Sequence, residues 1–324
     1  MINQKKILFI SNSRLGDAIF TTSILNYLLS KYPHAIVTVA TGVVAVPIFD
    51  AIPNVIKIIP IEKQKYGLHW FNLWKKVKDT KWDIIVDFRH SIISRFLTAH
   101  QKYYKVNKAY KNAHVSKRVA SILNLKEGET PFPRIWLSSA HQNKADMILE
   151  KDQVYVTIAP TANWPCKIWP IENFIALTNL IKEIPGFEDA KFIVTAAPNE
   201  YDLCMPLLSY LGTNGKELIY DVDLLTVAAC MKRSKLFIGN DSGLTHLAAA
   251  VGTPAVGLFG PTRDDLYAPF GHNKTLTVRT KESYEELIST IKTSRRDATA
   301  CLMHSLTPEH VYSQIRNQLF NLRI

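Results

Sequence analysis

Three short stretches of this chain carry side chains whose types and spacing suit phosphate and hydroxyl chemistry. In the first, Gly239-Asn240-Asp241-Ser242-Gly243 joins an apolar strand to a helix of small residues that opens Leu244-Thr245-His246. Unpaired backbone N–H groups and the positive end of the helix dipole meet at such a turn, so a diphosphate is favoured there. Asp241 or Ser242 as a simple N-cap is the alternative. The small helix face Leu247-Ala248-Ala249-Ala250, and the strand 255–259 that repeats the unit, favour the phosphate site. In the second stretch, Thr161, Asn163 and Lys167 lie in a loop with two tryptophans, ahead of a helix starting at Pro170 or Ile171. Lys167 can neutralise a phosphate there, or be an ordinary exposed lysine. In the third, Asp17 follows the first strand, beside Ser11, Asn12, Ser13 and Arg14. Its carboxylate can act as a general base on a substrate hydroxyl, or complement the dipole of the first helical turn.

Apolar periodicity gives the elements that hold these loops. The opening reads as a strand, a polar turn and an amphipathic helix with Ile24, Leu25, Leu28 and Leu29 on one face. Strands at 36–40, 55–59 and 82–88 follow, the last fed by a basic helix over 70–78. From 103 to 129 the pattern gives way to basic loops and one helix near 115–125. The segment 137–152 reads as a linker, so the domains are placed at 1–150 and 151–324. A second alternating series then begins, with strands at 154–159, 191–195, 217–220 and 236–239. Helices at 171–184, 200–211 and 224–232 separate them, and a final helix covers 308–322. Alternation of this kind predicts an α/β chain of two doubly wound parallel sheets, whose ligands bind at the carboxyl edges of the strands.

The 324 residues suffice for two cores. The net charge of +11 is unevenly spread: residues 1–150 hold 22 Lys and Arg against 10 Asp and Glu, residues 151–324 hold 17 against 18. The first half is therefore expected to meet something anionic. Between 62 and 118 the basic residues alternate with Tyr66, Trp70, Trp74, Tyr103, Tyr104 and Tyr110, which suggests a surface that also touches apolar or sugar groups. No helix-turn-helix, zinc module or RNP motif supports a nucleic-acid partner. No apolar run approaches the ~20 residues of a membrane span, and the opening Met1–Lys6 lacks a signal-peptide core. Cys166, Cys204, Cys230 and Cys301 show neither metal nor redox spacing, so reduced thiols and a cytoplasmic location are expected. The histidines form no ligand pair at helical spacing, and Asp221-Val222-Asp223 reads as a helix cap, so no metal site is expected.

With these pieces assembled, the chain resembles the bacterial heptosyltransferases of glycosyltransferase family 9, which build the inner core of lipopolysaccharide. Ser13-Arg14-Leu15-Gly16-Asp17 resembles the family's opening loop, whose aspartate is the proposed base. Ala162 to Pro170 resembles its lysine loop, and Asp241-Ser242-Gly243-Leu244-Thr245-His246 its phosphate-binding turn. Gly260-Pro261-Thr262, and Cys301-Leu302-Met303 with Thr307-Pro308-Glu309, match the loop after that turn and the C-terminal ending. The resemblance implies a GT-B fold, two Rossmann-like domains facing across a cleft, with the final helix packing back across their junction. It implies inverting transfer from ADP-heptose or a related nucleotide sugar, with Asp17 as base and no metal or further cofactor. Lys167 would stabilise the departing diphosphate, with Thr161, Asn163, Asp241, Gly243, Leu244, Thr245 and His246 around the donor and Glu200 on its ribose. The acceptor would be a phosphorylated Kdo-lipid A or heptosyl core at the inner face of the membrane, met by the basic half. Competing readings are a sugar-nucleotide epimerase of the same fold, a related transferase with another donor, and a non-catalytic protein that binds anionic lipid or nucleic acid.

Overall fold

A computed structural model describes residues 4–126, 128–294 and 297–321. Every residue of the apolar run Ile7–Ile10 is fully buried, and β1 (Lys6–Ile10) is the central strand of a five-stranded parallel sheet. After it come α1 (Leu15–Lys31), β2 (Ile36–Gly42), α2 (Pro47–Asp50), β3 (Val55–Ile61), α3 (Leu68–Val77) and β4 (Trp82–Asp87). The unit continues with α4 (Ile93–Phe96), β5 (Ala99–Tyr103) and α5 (Val115–Ala120). The strand order is β3-β2-β1-β4-β5, so the direction of winding reverses between β1 and β4, where Ile10 lies beside Asp87. Ligands of open α/β sheets bind at the carboxyl ends of the two strands flanking such a reversal.

The chain divides between Ser138 and Ser139, not at 150. The stretch read as a linker is mostly helix: α6 (Ser139–Ile148) buries only Ala145, and so short an apolar face gives little periodic signal. It packs on α9 (Leu224–Arg233), where Lys144 Nζ lies 3.1 Å from Asp223 and Arg233 lies 2.9 Å from Asp146. The second unit continues from α6 through β6 (Tyr155–Ala159), α7 (Ile171–Lys182), β7 (Lys191–Val194), α8 (Tyr201–Leu211) and β8 (Gly215–Glu217) to α9. There follow β9 (Leu236–Asn240), α10 (Gly243–Val251), β10 (Ala255–Phe259), α11 (Asp264–Tyr267), β11 (Thr275–Arg279), α12 (Tyr284–Ser289) and α13 (Pro308–Gln314). Its six parallel strands run β11-β10-β9-β6-β7-β8, with the reversal between β6 and β9.

The edge strands β5 and β11 were not anticipated. Each has a single strand neighbour, and all five residues of β5 and three of the five in β11 are at least partly exposed, so neither carries the continuous apolar run of a central strand. The strand expected at 217–220 is β8, set earlier at Gly215–Glu217. The final helix is α13 followed by a wider turn, Ile315–Leu319, and its expected last residue, Leu322, lies outside the described residues. Within the second unit it packs on α7 and β11, where Val311 and Ile315 are fully buried. Among the described residues, no helix is long and apolar enough to cross a membrane. All four cysteines are free thiols, and burial pushes Cys204 up to about 12 and Cys230 up to about 11.

Candidate active site

The donor-type residues meet where the second sheet reverses. β6 ends at Ala159 beside Gly239 of β9, so the loops after the two strands leave the sheet side by side. Asn240, fully buried, joins them: its Oδ1 accepts the Trp169 backbone N–H at 3.0 Å and its Nδ2 donates to the Pro160 carbonyl at 2.7 Å. The Thr245 hydroxyl donates to the Asn240 carbonyl at 2.6 Å and closes the turn from the helix side. Asn240 was not singled out from sequence, although a polar residue at the end of so apolar a strand is the signal that could have marked it.

Lys167 is thereby delivered to Asp241. Its Nζ donates to the Asp241 backbone carbonyl at 2.5 Å and lies 3.4 Å from the carboxylate, with both side chains nearly nine-tenths buried. His246 Nε2 approaches the other carboxylate oxygen at 3.9 Å. Ser242 stands at the N-cap position of α10, yet its hydroxyl makes no capping bond, so the capping alternative accounts for neither it nor Asp241. The first turn of α10, Gly243-Leu244-Thr245, therefore begins without a side-chain cap. The helix ends at Gly252, whose φ of 90° suits only glycine, with Thr253 N–H bonded back to the Ala248 carbonyl.

Beside this group the Thr161 hydroxyl donates to Glu200 Oε2 at 2.6 Å, which brings the ends of β6 and β7 together. Asn163 is exposed, and the structure ties it to none of the other site residues. The lysine loop is braced from the far end of the chain. The Ala298 carbonyl accepts from Trp164 Nε1 and Cys166 Sγ, Leu302 N–H donates to the Cys166 carbonyl, and Trp169 Nε1 donates to the Leu306 carbonyl at 2.8 Å.

The first sheet presents Asp17 at its own reversal. The loop after β1 is sewn to the end of β2, with the Thr41 hydroxyl donating to the Asn12 carbonyl at 2.9 Å. Gly42 permits this approach, since a β-carbon there would lie 2.6 Å from Ser13 Cα. Asp17 sits in the first turn of α1 and lines a pocket of about 350 Å³. Asn12 comes from the same loop, His90 from the loop after β4, Lys108 and Lys111 from the chain after β5, and Arg118 from α5. The sequence places the three cations in a generally basic stretch without gathering them around Asp17, because their spacing reflects one loop and the helix after it.

Asp87, fully buried, shapes the rim. It accepts the backbone N–H groups of Arg89 and Ser91, both at 2.9 Å, and the Ser91 hydroxyl. His90 between them is held at a φ of 51°, a left-handed conformation that costs on the order of 1 kcal/mol in a residue other than glycine. Asp223 accepts Thr226 N–H at 2.9 Å as the N-cap of α9, the role read from sequence. Among the described residues no group of three or more His, Cys, Asp or Glu is gathered for a metal ion.

Residues 70–293 match the sequence profile of glycosyltransferase family 9 (heptosyltransferase). The chain belongs to this family. As a glycosyltransferase of family 9 it is similar to lipopolysaccharide heptosyltransferase 2 of Salmonella typhimurium, with 24% identity covering 97% of this chain and 98% of that one. Its fold is shared with a family 9 glycosyl transferase from Veillonella parvula, at a TM-score of 0.76 and 20% identity over 98% of this chain and 97% of that one. It is shared too with E. coli heptosyltransferase WaaC bound to ADP-2-deoxy-2-fluoro heptose, at 0.68 and 18% over 96% and 99%. The two reversed parallel sheets are thus the two Rossmann-like domains of a GT-B glycosyltransferase.

Proposed function

We propose that this chain is an inverting heptosyltransferase that moves a heptose from ADP-heptose to the inner core of lipopolysaccharide, on Kdo-lipid A or a heptosyl acceptor. The observation that carries the reading is that Asp17, at the reversal of the first sheet, shares its pocket with Lys108, Lys111 and Arg118. A carboxylate among cations suits deprotonation of a hydroxyl on an anionic acceptor, since the cations hold the acceptor while the carboxylate takes its proton. On the donor side, the family's relatives are heptosyltransferases, and WaaC, alike in fold, holds an ADP-linked heptose analogue.

In this reading the acceptor oxygen bonds to the anomeric carbon as the bond from that carbon to the β-phosphate oxygen breaks. ADP departs with the bonding pair, Asp17 takes the hydroxyl proton, and the anomeric configuration inverts. The charge that develops on ADP is met by Lys167 and by the N–H groups of the first turn of α10. Asp241 holds Lys167 in place until the diphosphate arrives, and Glu200, steadied by Thr161, takes the donor ribose. If these groups supply all of that stabilisation no metal is required, and turnover should survive a chelator. Because the acceptor is a lipid, the enzyme would work on the cytoplasmic face of the inner membrane as a peripheral protein.

The test is turnover on Kdo-lipid A with ADP-heptose against UDP- and GDP-sugars, with and without EDTA, for wild type and Asp17→Ala. We expect ADP-heptose to be used, EDTA to be without effect, and Asp17→Ala to lose at least about a hundredfold in kcat while still binding ADP. Turnover of another nucleotide sugar alone would move the assignment to a different donor. Binding of acceptor lipid with no turnover of any donor would sink the enzymatic reading.

A further inference from the structure

The helices α3 and α4 cover the same face of the first sheet. Leu73 and Val77 of α3 and Ile93 of α4, with Leu97 just after it, share one buried cluster with strand residues Leu8, Ile10 and Ile85. What these helices turn outward is unusual. On α3, Leu68, Phe71 and Lys75 follow one another at helical spacing on the side opposite Leu73 and Val77, and Leu68 and Phe71 are about half exposed, at 51% and 49%. On and just before α4, Ile92 and Phe96 are 59% and 73% exposed. Tyr66 precedes α3 at a φ of 56° with its side chain 98% exposed, a strained backbone that presents an aromatic ring to solvent.

Cations surround these apolar groups. Lys63, Lys65, Lys75, Lys76, Lys78 and Arg95 are all exposed on the same two helices and the loop leading into them, against only Glu62 and Asp79. Lys75 Nζ lies 4.5 Å from the centre of the Phe71 ring and Lys78 Nζ 5.3 Å from that of Trp74. Lysine stems laid along aromatic rings, with the ammonium at their margin, suit a boundary between an apolar phase and an anionic layer. A nucleic-acid groove would use the cations and leave Leu68, Ile92 and Phe96 unexplained; an apolar protein partner would leave six cations unexplained.

We propose that the outer face of α3 and α4 is the surface by which this protein rests on an anionic lipid bilayer, with Leu68, Phe71, Ile92 and Phe96 at headgroup depth and the lysines on lipid phosphates. The proposal rests on the reading that the acceptor is a membrane lipid and names the face that meets that membrane. None of these residues lines the Asp17 pocket, so docking and transfer are separable.

The experiment is flotation of the full-length protein with vesicles of phosphatidylcholine alone and of phosphatidylcholine with about one third phosphatidylglycerol. Neither holds a sugar acceptor, so binding reports the face and not the pocket. Two variants are compared with wild type, Phe71→Ser with Phe96→Ser, and Lys75→Glu with Lys76→Glu and Lys78→Glu. A matched control places the same charge change on exposed lysines of the second unit, Lys151→Glu, Lys232→Glu and Lys292→Glu. Wild type and control should bind the anionic vesicles, and each face variant should bind at least about tenfold more weakly. Circular dichroism and turnover on a delipidated core oligosaccharide should be unchanged in both face variants. Equal binding by wild type and both face variants would overturn the proposal, as would wild type that ignores anionic vesicles or a face that instead holds two copies of the chain together. Loss of turnover in wild type with vesicle binding intact would count against the transfer reading alone.

Discussion

The Lys167 ammonium is held between a carbonyl and a carboxylate that belong to one residue, Asp241, and both side chains are largely out of water. Removing one member of such a pair leaves the other charged and poorly solvated, at a cost of about 3 kcal/mol, whereas neutralising both is far less costly. This separates the stability role of Lys167 from its proposed work on the donor. Lys167→Met should lower stability in urea and abolish ADP binding by calorimetry; adding Asp241→Asn should restore most of the stability and none of the binding. Recovery of ADP binding in the double variant would remove Lys167 from the donor site. Lys167 and Asp241 were both legible in the sequence, because each stands in a short polar loop between strongly apolar elements. Their contact, 74 residues apart in the chain, was not, since it depends on β6 and β9 lying side by side.

At the scale of elements, the central strands and long helices could be read from their residues because burial on both faces demands continuous apolar runs. The edge strands β5 and β11, and α6, escaped for the same reason in reverse. In α6 the gain comes less from apolar area than from polar ties to α9, and these can be titrated. Burial pushes the Asp223 carboxyl up, but the Thr226 hydroxyl and amide and the Lys144 ammonium outweigh it and hold it down at about 2, against an ordinary 3.8. A carboxyl held low stabilises the fold fully above its unfolded value, and that contribution is lost as pH falls through its folded value. Thermal melts between about pH 4 and pH 2 should therefore show wild type losing an increment of stability that Asp223→Asn lacks throughout. Parallel slopes for the two proteins across that window would show that the cap contributes nothing through its charge.

At the scale of the molecule, charge is divided between the two halves, and each half should answer differently to salt. The pocket lined by Asp17 holds three cations, proposed here to meet the acceptor, whereas Lys167, proposed to meet the donor, is paired with the Asp241 carboxylate. Raising ionic strength from about 0.05 to 0.5 M shortens the screening length severalfold. The KM for a phosphorylated acceptor should then rise about tenfold or more, while the Kd for ADP shifts only a few-fold. Equal salt dependence on both sides would mean that the basic half does not recognise the acceptor by charge. The bracing of the lysine loop by Ala298, Leu302 and Leu306 bears on how the enzyme is made. Leu306 is translated 137 residues after Trp169, the residue whose indole it fastens. At ribosomal speeds the finished β6 edge must wait on the order of ten seconds for that fastening. A nascent chain therefore lacks this tie on the Lys167 loop until residue 306 has been made.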